Sequence, residues 1–206
     1  MNKREKLSGP SIAAAAMQMI DKHGEKGFSM RKLAAELGVD PMAIYHHHAN
    51  KDALIHAVMQ ALMEECDIPQ ATGNWQQDLR NLCSSLRALA NRHPGAFRIY
   101  ETYEKWVPAE HNLHEAFYRT LSEAGFGRKA TVQSANLLLM YTEAFAVDEI
   151  SGWLEPEDRN ALIKSLEGGD YDMVNSLVDE ITAPDTDADF IFGLNVLLNG
   201  LQAQLD

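Results

Sequence analysis

The chain has 206 residues, 46% of them hydrophobic, with a net charge of −12. That is enough apolar material to bury a core, which excludes wholesale disorder. No apolar run reaches the roughly 18–20 residues of a membrane-spanning helix, and the charged start MNKREKLSGPSIAAAAMQMI is followed at once by Asp21, Lys22 and His23. Without an apolar leader a cytoplasmic location is expected. Cys66 and Cys83 are two isolated cysteines, too few for a disulfide framework or a metal knuckle, and read as packed thiols.

The charge is unevenly spread. Residues 1–55 hold eight Lys/Arg against six Asp/Glu, a net of +2, whereas 56–206 hold ten against 24, a net of −14. A polyanion could approach only the N-terminal part.

Helical patterning runs from end to end, with no sustained period-2 alternation. Ser8 or Ser11 caps a first helix with Pro10 in its opening turn; Gly24 and Gly27 close it, and Ile12, Ala16, Met19 and Ile20 share one face. Ser29 caps MRKLAAEL, stopped by Gly38, and Asp40 caps PMAIYHHH with Pro41 in its first position. Asn50 caps a fourth helix from Lys51 through LIHAVMQALMEE, and IPQATGN (68–74) reads as a linker. Further helices are predicted from Trp75 to about Asn91, on to about Lys105 after the turn His93-Pro94-Gly95, from about Asn112 to Ala124, and from Thr131 to Ile150. Residues 155–186 read as an acidic loop with short helical pieces, and about 187–204 as a last amphipathic helix. The expectation is an all-α protein divided at 1–53 and 54–206.

MRKLAAEL, GVD and PMAIYHHH make two short helices joined by a three-residue turn containing Gly, the pattern of a helix-turn-helix. Leu33, Leu37, Ile44 and His48 point inward by their i, i+4 spacing, with Val39 in the turn. Met42, Tyr45 and His46 fall on the opposite face, which offers donors, an aromatic hydroxyl and apolar groups to base edges. Lys51 sets a cation at a helix N-terminus, a natural phosphate clamp.

The run His46-His47-His48 invites a metal-site reading. Successive helical residues point about 100° apart, so the three cannot converge, and no metal or cofactor is expected. Glu110–His114 and His111–Glu115 are i, i+4 pairs that read as a solvated helix start. No phosphate-cradling glycine loop, HExxH, nucleophile elbow or CxxC supports an enzyme. A helical protein-interaction module without DNA binding is the alternative reading of the bundle.

Residues 28–54, FSMRKLAAELGVDPMAIYHHHANKDAL, resemble the DNA-binding signature of the TetR family of bacterial transcriptional repressors: Arg31, Leu33, Ala34, Leu37, Gly38, Val39, Ile44, Tyr45, His47, Asn50, Lys51 and Leu54 fill matching places. NWQQDLRNLCSSLRALANRHPGAF (74–97) and FIFGLNVLLNGL are similar to parts of the tetracycline-repressor type of C-terminal domain. The resemblance implies an all-α homodimer that binds double-stranded operator DNA and a small-molecule effector. It adds Ser29, Arg31, Pro41 and His47 to Met42, Tyr45, His46 and Lys51 as DNA contacts, and Lys3, Arg4 and Lys6 as an arm adding salt-dependent affinity. It places the dimer interface on the last two long helices, with Leu137, Leu138, Tyr141, Leu194, Leu197, Leu198 and Leu201.

The positions by which tetracycline repressors hold their drug fall here on Leu82 and Leu86, which argues against a magnesium–tetracycline ligand. Leu82, Leu86, Phe97, Tyr100, Tyr103, Trp106, Phe117, Met140 and Glu143 are the pocket candidates, and they imply an apolar or aromatic effector. Where relatives carry an apolar residue, this chain has His48. It is expected to be partly buried as an imperfect core filler, with His48→Phe raising stability.

Overall fold

The computed structural model describes residues 7–103, 106–154 and 158–205. The arm residues Lys3, Arg4 and Lys6 lie outside the described residues. Among those described there are helices and no strand, and no helix is long and apolar enough to cross a membrane.

Local capping chemistry starts each of the first helices. In α1 (Gly9–Gly27), Ser8 and Ser11 form a reciprocal capping box, and regular geometry breaks at Gly24, whose φ of 67° suits a residue without a Cβ. The expected face, Ile12, Ala16, Met19 and Ile20, is buried. Ser29 accepts the Lys32 amide to open α2 (Met30–Leu37), and left-handed Gly38 closes it. Asp40 accepts the Met42 amide to open α3 (Pro41–Tyr45). This helix is shorter than PMAIYHHH implied. Asn50 must be extended to cap α4 (Lys51–Glu64), so residues 46–48 leave the helix in tight turns, with His47 N and His48 N both donating to Ile44 O.

The linker is tied down by Asp78, whose Oδ1 accepts from the amide and hydroxyl of Thr72 at 2.8 and 2.7 Å. Asn74 caps α5 (Trp75–Arg92). Helix α6 (Pro94–Tyr100) stops earlier than expected, in a turn at 101–102. Then follow α7 (Glu110–Glu123) and α8 (Arg128–Ile150), the short α9 (Arg159–Ser165), α10 (Asp172–Ser176) and α11 (Val178–Ile181), and α12 (Thr186–Gln202). Of the three short helices, only Val178 is buried.

One apolar core runs from α1 to α12. Helix α1 packs on α4 and α6, and α5 on α8, which also meets α7 and α12. Two joints are specific. At the first, Asp21 Oδ1 accepts from the first amides of α6, Gly95 N at 3.0 Å and Ala96 N at 2.9 Å, while Oδ2 meets His93 Nδ1 at 2.7 Å. A carboxylate on a helix N-terminus is favourable electrostatically. The backbones are in close contact there: a Cβ at residue 95 would lie 2.5 Å from the Ile20 carbonyl oxygen. At the second, Arg87 of α5 donates to both carboxylate oxygens of Glu149 in α8, reaches Asp187 of α12 at 2.8 Å, and covers the Phe190 ring at 4.8 Å.

Both cysteines are buried and free. Burial pushes the Cys66 thiol up to about 11 and the Cys83 thiol up to about 12, so neither is a nucleophile at neutral pH.

Candidate functional site

The first candidate surface is the outer face of the helix-turn-helix. Leu33 and Ile44 are fully buried at its centre, with Leu37 and Val39 packed against them. That inward anchoring turns Met42 and Tyr45 out to 60% and 41% exposure. Arg31, His46 and His47 are exposed, and Pro41 and Ser29 half-buried, with the Ser29 hydroxyl engaged as the α2 cap. Lys51 stands at the first turn of α4, 3.8 Å from Glu25 and 5.8 Å from the Phe28 ring centre. Both partners of that ion pair are well exposed, so it holds the lysine weakly and leaves it free to exchange Glu25 for a phosphate.

The histidine run divides. His46 and His47 face solvent, whereas His48 is buried with Nε2 3.1 Å from the Gly9 carbonyl oxygen. A carbonyl only accepts, so Nε2 carries the proton and donates. His48 is therefore a hydrogen-bonded tie to the start of α1, not merely a poor substitute for an apolar residue.

The second candidate is a cavity of about 290 Å³ where the ends of α6, α7 and α8 meet. It brings together four of the nine pocket candidates, Tyr100, Tyr103, Trp106 and Glu143, and adds Glu101, Val107 and Glu110. Tyr100 donates to Glu110 at 2.9 Å, and Trp106, 62% exposed, stacks on His111 at 5.5 Å between ring centres. Burial, reinforced by the charges of Glu101 and Glu110, raises the Glu143 carboxyl to about 7. Burial raises Glu101 also, and burial with Glu110 and Glu143 raises the Tyr100 phenol.

The remaining pocket candidates do not reach this cavity. Leu86, Phe97 and Phe117 are buried core. Met140 is 68% exposed on the outside of α8, because the stripe Ala135, Leu138, Leu139, Thr142 and Ala146 takes the inward face. Leu82 borders a separate cavity of about 260 Å³ between the linker and α7. Glu101 was missed by sequence reasoning, with the mixed acidic and aromatic stretch YETYEKW as the available signal, and Glu110 was read only as part of a solvated helix start.

The interface candidates also divide. Leu138, Leu194 and Leu198 are fully buried inside the protomer and Leu201 nearly so, which removes them from any surface a second copy could touch. Tyr141 and Leu197 are half-buried, Tyr141 donating to the Phe190 carbonyl at 2.9 Å. The outward apolar face carries Leu137 and Met140 on α8 and Ile191, Phe192 and Val196 on α12. A stripe at helical spacing marks a buried face; it does not say what buries it.

Two hydrogen bonds join α4, the helix that begins at Lys51, to the cavity wall at Tyr103 and to Ala109 beside it. His56 Nδ1 is 3.0 Å from the Tyr103 hydroxyl, and Gln60 accepts the Ala109 amide at 3.0 Å.

A helix-turn-helix presented beside a helical body with an aromatic-lined cavity defines a DNA-binding type of protein with room for a small molecule. The family described as bacterial regulatory proteins, tetR family, matches residues 12–58, and the tetracyclin repressor-like C-terminal domain matches residues 68–205. The class A tetracycline repressor protein from transposon 1721 of Escherichia coli is 27% identical over 199 residues, 95% of this chain and 91% of that protein. The crystal structure of the Streptomyces coelicolor TetR family protein ActR in complex with (S)-DNPA superposes with a TM-score of 0.81 at 25% identity, over 96% of this chain and 98% of ActR. Its complex with actinorhodin gives 0.83 at 24%, over 97% of each.

The chain belongs to the TetR family. That membership makes it a DNA-binding transcriptional regulator of the repressor type.

Proposed function

We propose that the protein is a homodimeric repressor. Its heads, residues 1–53, read a pseudo-palindromic operator, and a small aromatic molecule entering the cavity of residues 54–206 releases it. A two-fold dimer sets its recognition helices in successive major grooves about 34–36 Å apart. Met42, Tyr45 and His46 face the bases, with Arg31 and Pro41 beside them. Ser29, His47 and Lys51 hold the phosphates together with the Tyr45 hydroxyl. The exposed apolar face of α8 and α12 pairs the protomers, and the protein acts in the cytoplasm.

The observation that carries the reading is Tyr103, which lines the cavity and meets His56 of α4. A ligand that displaces Tyr103 biases the helix whose first turn holds Lys51, and so the spacing of the heads. That is allostery as a coupling energy between two sites, typically ~1–3 kcal/mol. The small molecules in the ActR structures support an effector role for a cavity in this fold.

The test is operator selection from random duplex DNA followed by a mobility-shift assay. Wild type is expected to enrich an inverted repeat. Tyr45→Ala is expected to weaken binding and relax the sequence preference, while Lys51→Ala weakens binding to all sequences and lowers the salt slope by about one ion. Failure to enrich any sequence at low salt overturns the repressor reading and favours a protein-interaction module.

A further inference from the structure

The cavity has an unusual lining. Aromatic faces come from Tyr100, Tyr103 and Trp106, yet the polar groups are three carboxylates, Glu101, Glu110 and Glu143. No Lys, Arg or His lines it among the described residues, and Glu104 and Lys105 lie outside them. Glu101 is exposed and Glu110 and Glu143 are half-buried, and three acids from three segments gain nothing for the fold by converging, since like charges in a partly desolvated space repel. Glu110 is partly occupied by the Tyr100 hydroxyl, but the carboxylates of Glu101 and Glu143 have no hydrogen-bond or ion-pair partner among the described residues.

We propose that this cavity takes an organic cation, a molecule with an aromatic body and a protonated or quaternary nitrogen. The inference rests on the cavity being the effector site and assigns the chemistry of that effector. The nitrogen sits among Glu101, Glu110 and Glu143, where one positive charge relieves their mutual repulsion. The body lies against Tyr103 and the open face of Trp106, whose rings also attract a cation. Neutral aromatic compounds fill the same space and leave the carboxylates unpaired in a drier site.

Glu143 gives the proposal a proton linkage. It faces Glu101, Tyr100 and Tyr103 from the α6 end, and Glu110 from α7, with His111 and His114 beyond Trp106. His56 of α4 is held by Tyr103, and Arg87 of α5 is committed to Glu149 and Asp187. A cation binds the Glu143 carboxylate, so the carboxyl proton passes to the buffer on binding. A ligand of fixed charge therefore binds more tightly as pH rises through about 7.

The probe is benzyltrimethylammonium, whose charge does not titrate, against its neutral isostere neopentylbenzene, followed by calorimetry and tryptophan fluorescence on the full chain without DNA. The cation is expected to bind at least tenfold more tightly than the isostere, and about tenfold more tightly at pH 8 than at pH 6. Glu143→Gln is expected to raise Kd tenfold or more at pH 8 and to flatten the pH profile; Glu101→Gln raises Kd and moves the profile to lower pH, since the Glu101 charge helps to raise Glu143. Equal or tighter binding of the isostere, an unchanged Kd in Glu143→Gln, or no cation binding up to millimolar concentration overturns the proposal. Those outcomes leave the repressor reading standing if an operator is selected. An operator failure with cation binding intact strikes only the repressor reading.

Discussion

His48 Nε2 donates to the Gly9 carbonyl oxygen across 3.1 Å, joining the turn after the recognition helix to the first residue of α1. The side chain is 8% exposed, so the bond is shielded from water. A net hydrogen bond contributes roughly 0.5–1.5 kcal/mol, with the lost packing of a truncated side chain in addition. His48→Ala is therefore expected to lower stability by about 2 kcal/mol. His48→Phe recovers packing without the bond and falls between Ala and wild type. Urea melts monitored by circular dichroism decide it: a Phe variant more stable than wild type means the hydrogen bond contributes nothing net.

Glu143 makes the free protein sensitive to pH in an unusual direction. Burial first, then Glu101 and Glu110, raise its carboxyl to about 7, so the folded state holds a proton that the unfolded state releases near 4.5. Stability from this group is full below the unfolded value and falls as pH rises toward 7 and above. Glu143→Gln is expected to be more stable than wild type by about 1–3 kcal/mol at pH 8, and equal to it near pH 4. Equal stability at both pH values would show that the cavity is wet enough to solvate the charge.

The Arg87–Glu149 pair runs the other way. The arginine hydrogen bond holds Glu149 below its ordinary value against the opposing effect of burial. Its contribution is present above that ordinary value and is lost as pH falls through the lowered one. Glu149→Gln keeps the shape and removes the charge. Arg87 still has Asp187 and the Phe190 ring, so the expected loss at pH 7 is about 1 kcal/mol. The pair's side chains are 11% and 20% exposed, hence that loss should change little between 0.05 and 0.5 M salt. A loss that vanishes in high salt would place the pair in bulk solvent.

The two faces of α12 make opposite predictions. Phe192, 72% exposed, belongs to the proposed interface, so Phe192→Glu is expected to give monomers by sedimentation with the melting transition of a folded chain. Leu198 is fully buried, and Leu198→Ala is expected to cost about 2–5 kcal/mol of stability as a core truncation. A dimeric Phe192→Glu variant would move the interface elsewhere.

Local chemistry was readable in the sequence. Ser8, Ser29, Asp40 and Asn50 each accept an amide two or three residues on, an interaction complete within one turn of chain. The exposed face of α3 was equally readable, since Leu33 and Ile44 mark the inside of a motif confined to residues 30–48. Long-range convergence was not. Glu101, Glu110 and Glu143 meet because α6 stops at Tyr100 and α7 returns beside α8, and neither event is written in the periodicity of any one helix. Leu194 and Leu198 show the same limit: their spacing announced burial, and only the packed structure shows that they are buried within the protomer, where α12 packs on α8.

The contact at Gly95 leaves no slack between α1 and α6. The Ile20 carbonyl lies 2.5 Å from where a Cβ would stand, and Asp21 grips the first amides of α6, so only glycine fits at this crossing. The other end of α6 carries Tyr100 at the cavity wall. At the far end of α1, His48 ties its first residue, Gly9, to the turn that follows α3. An alanine at 95 would force α1 and α6 apart, because its Cβ would meet the backbone of Ile20 and Asp21 rather than a side chain able to move aside.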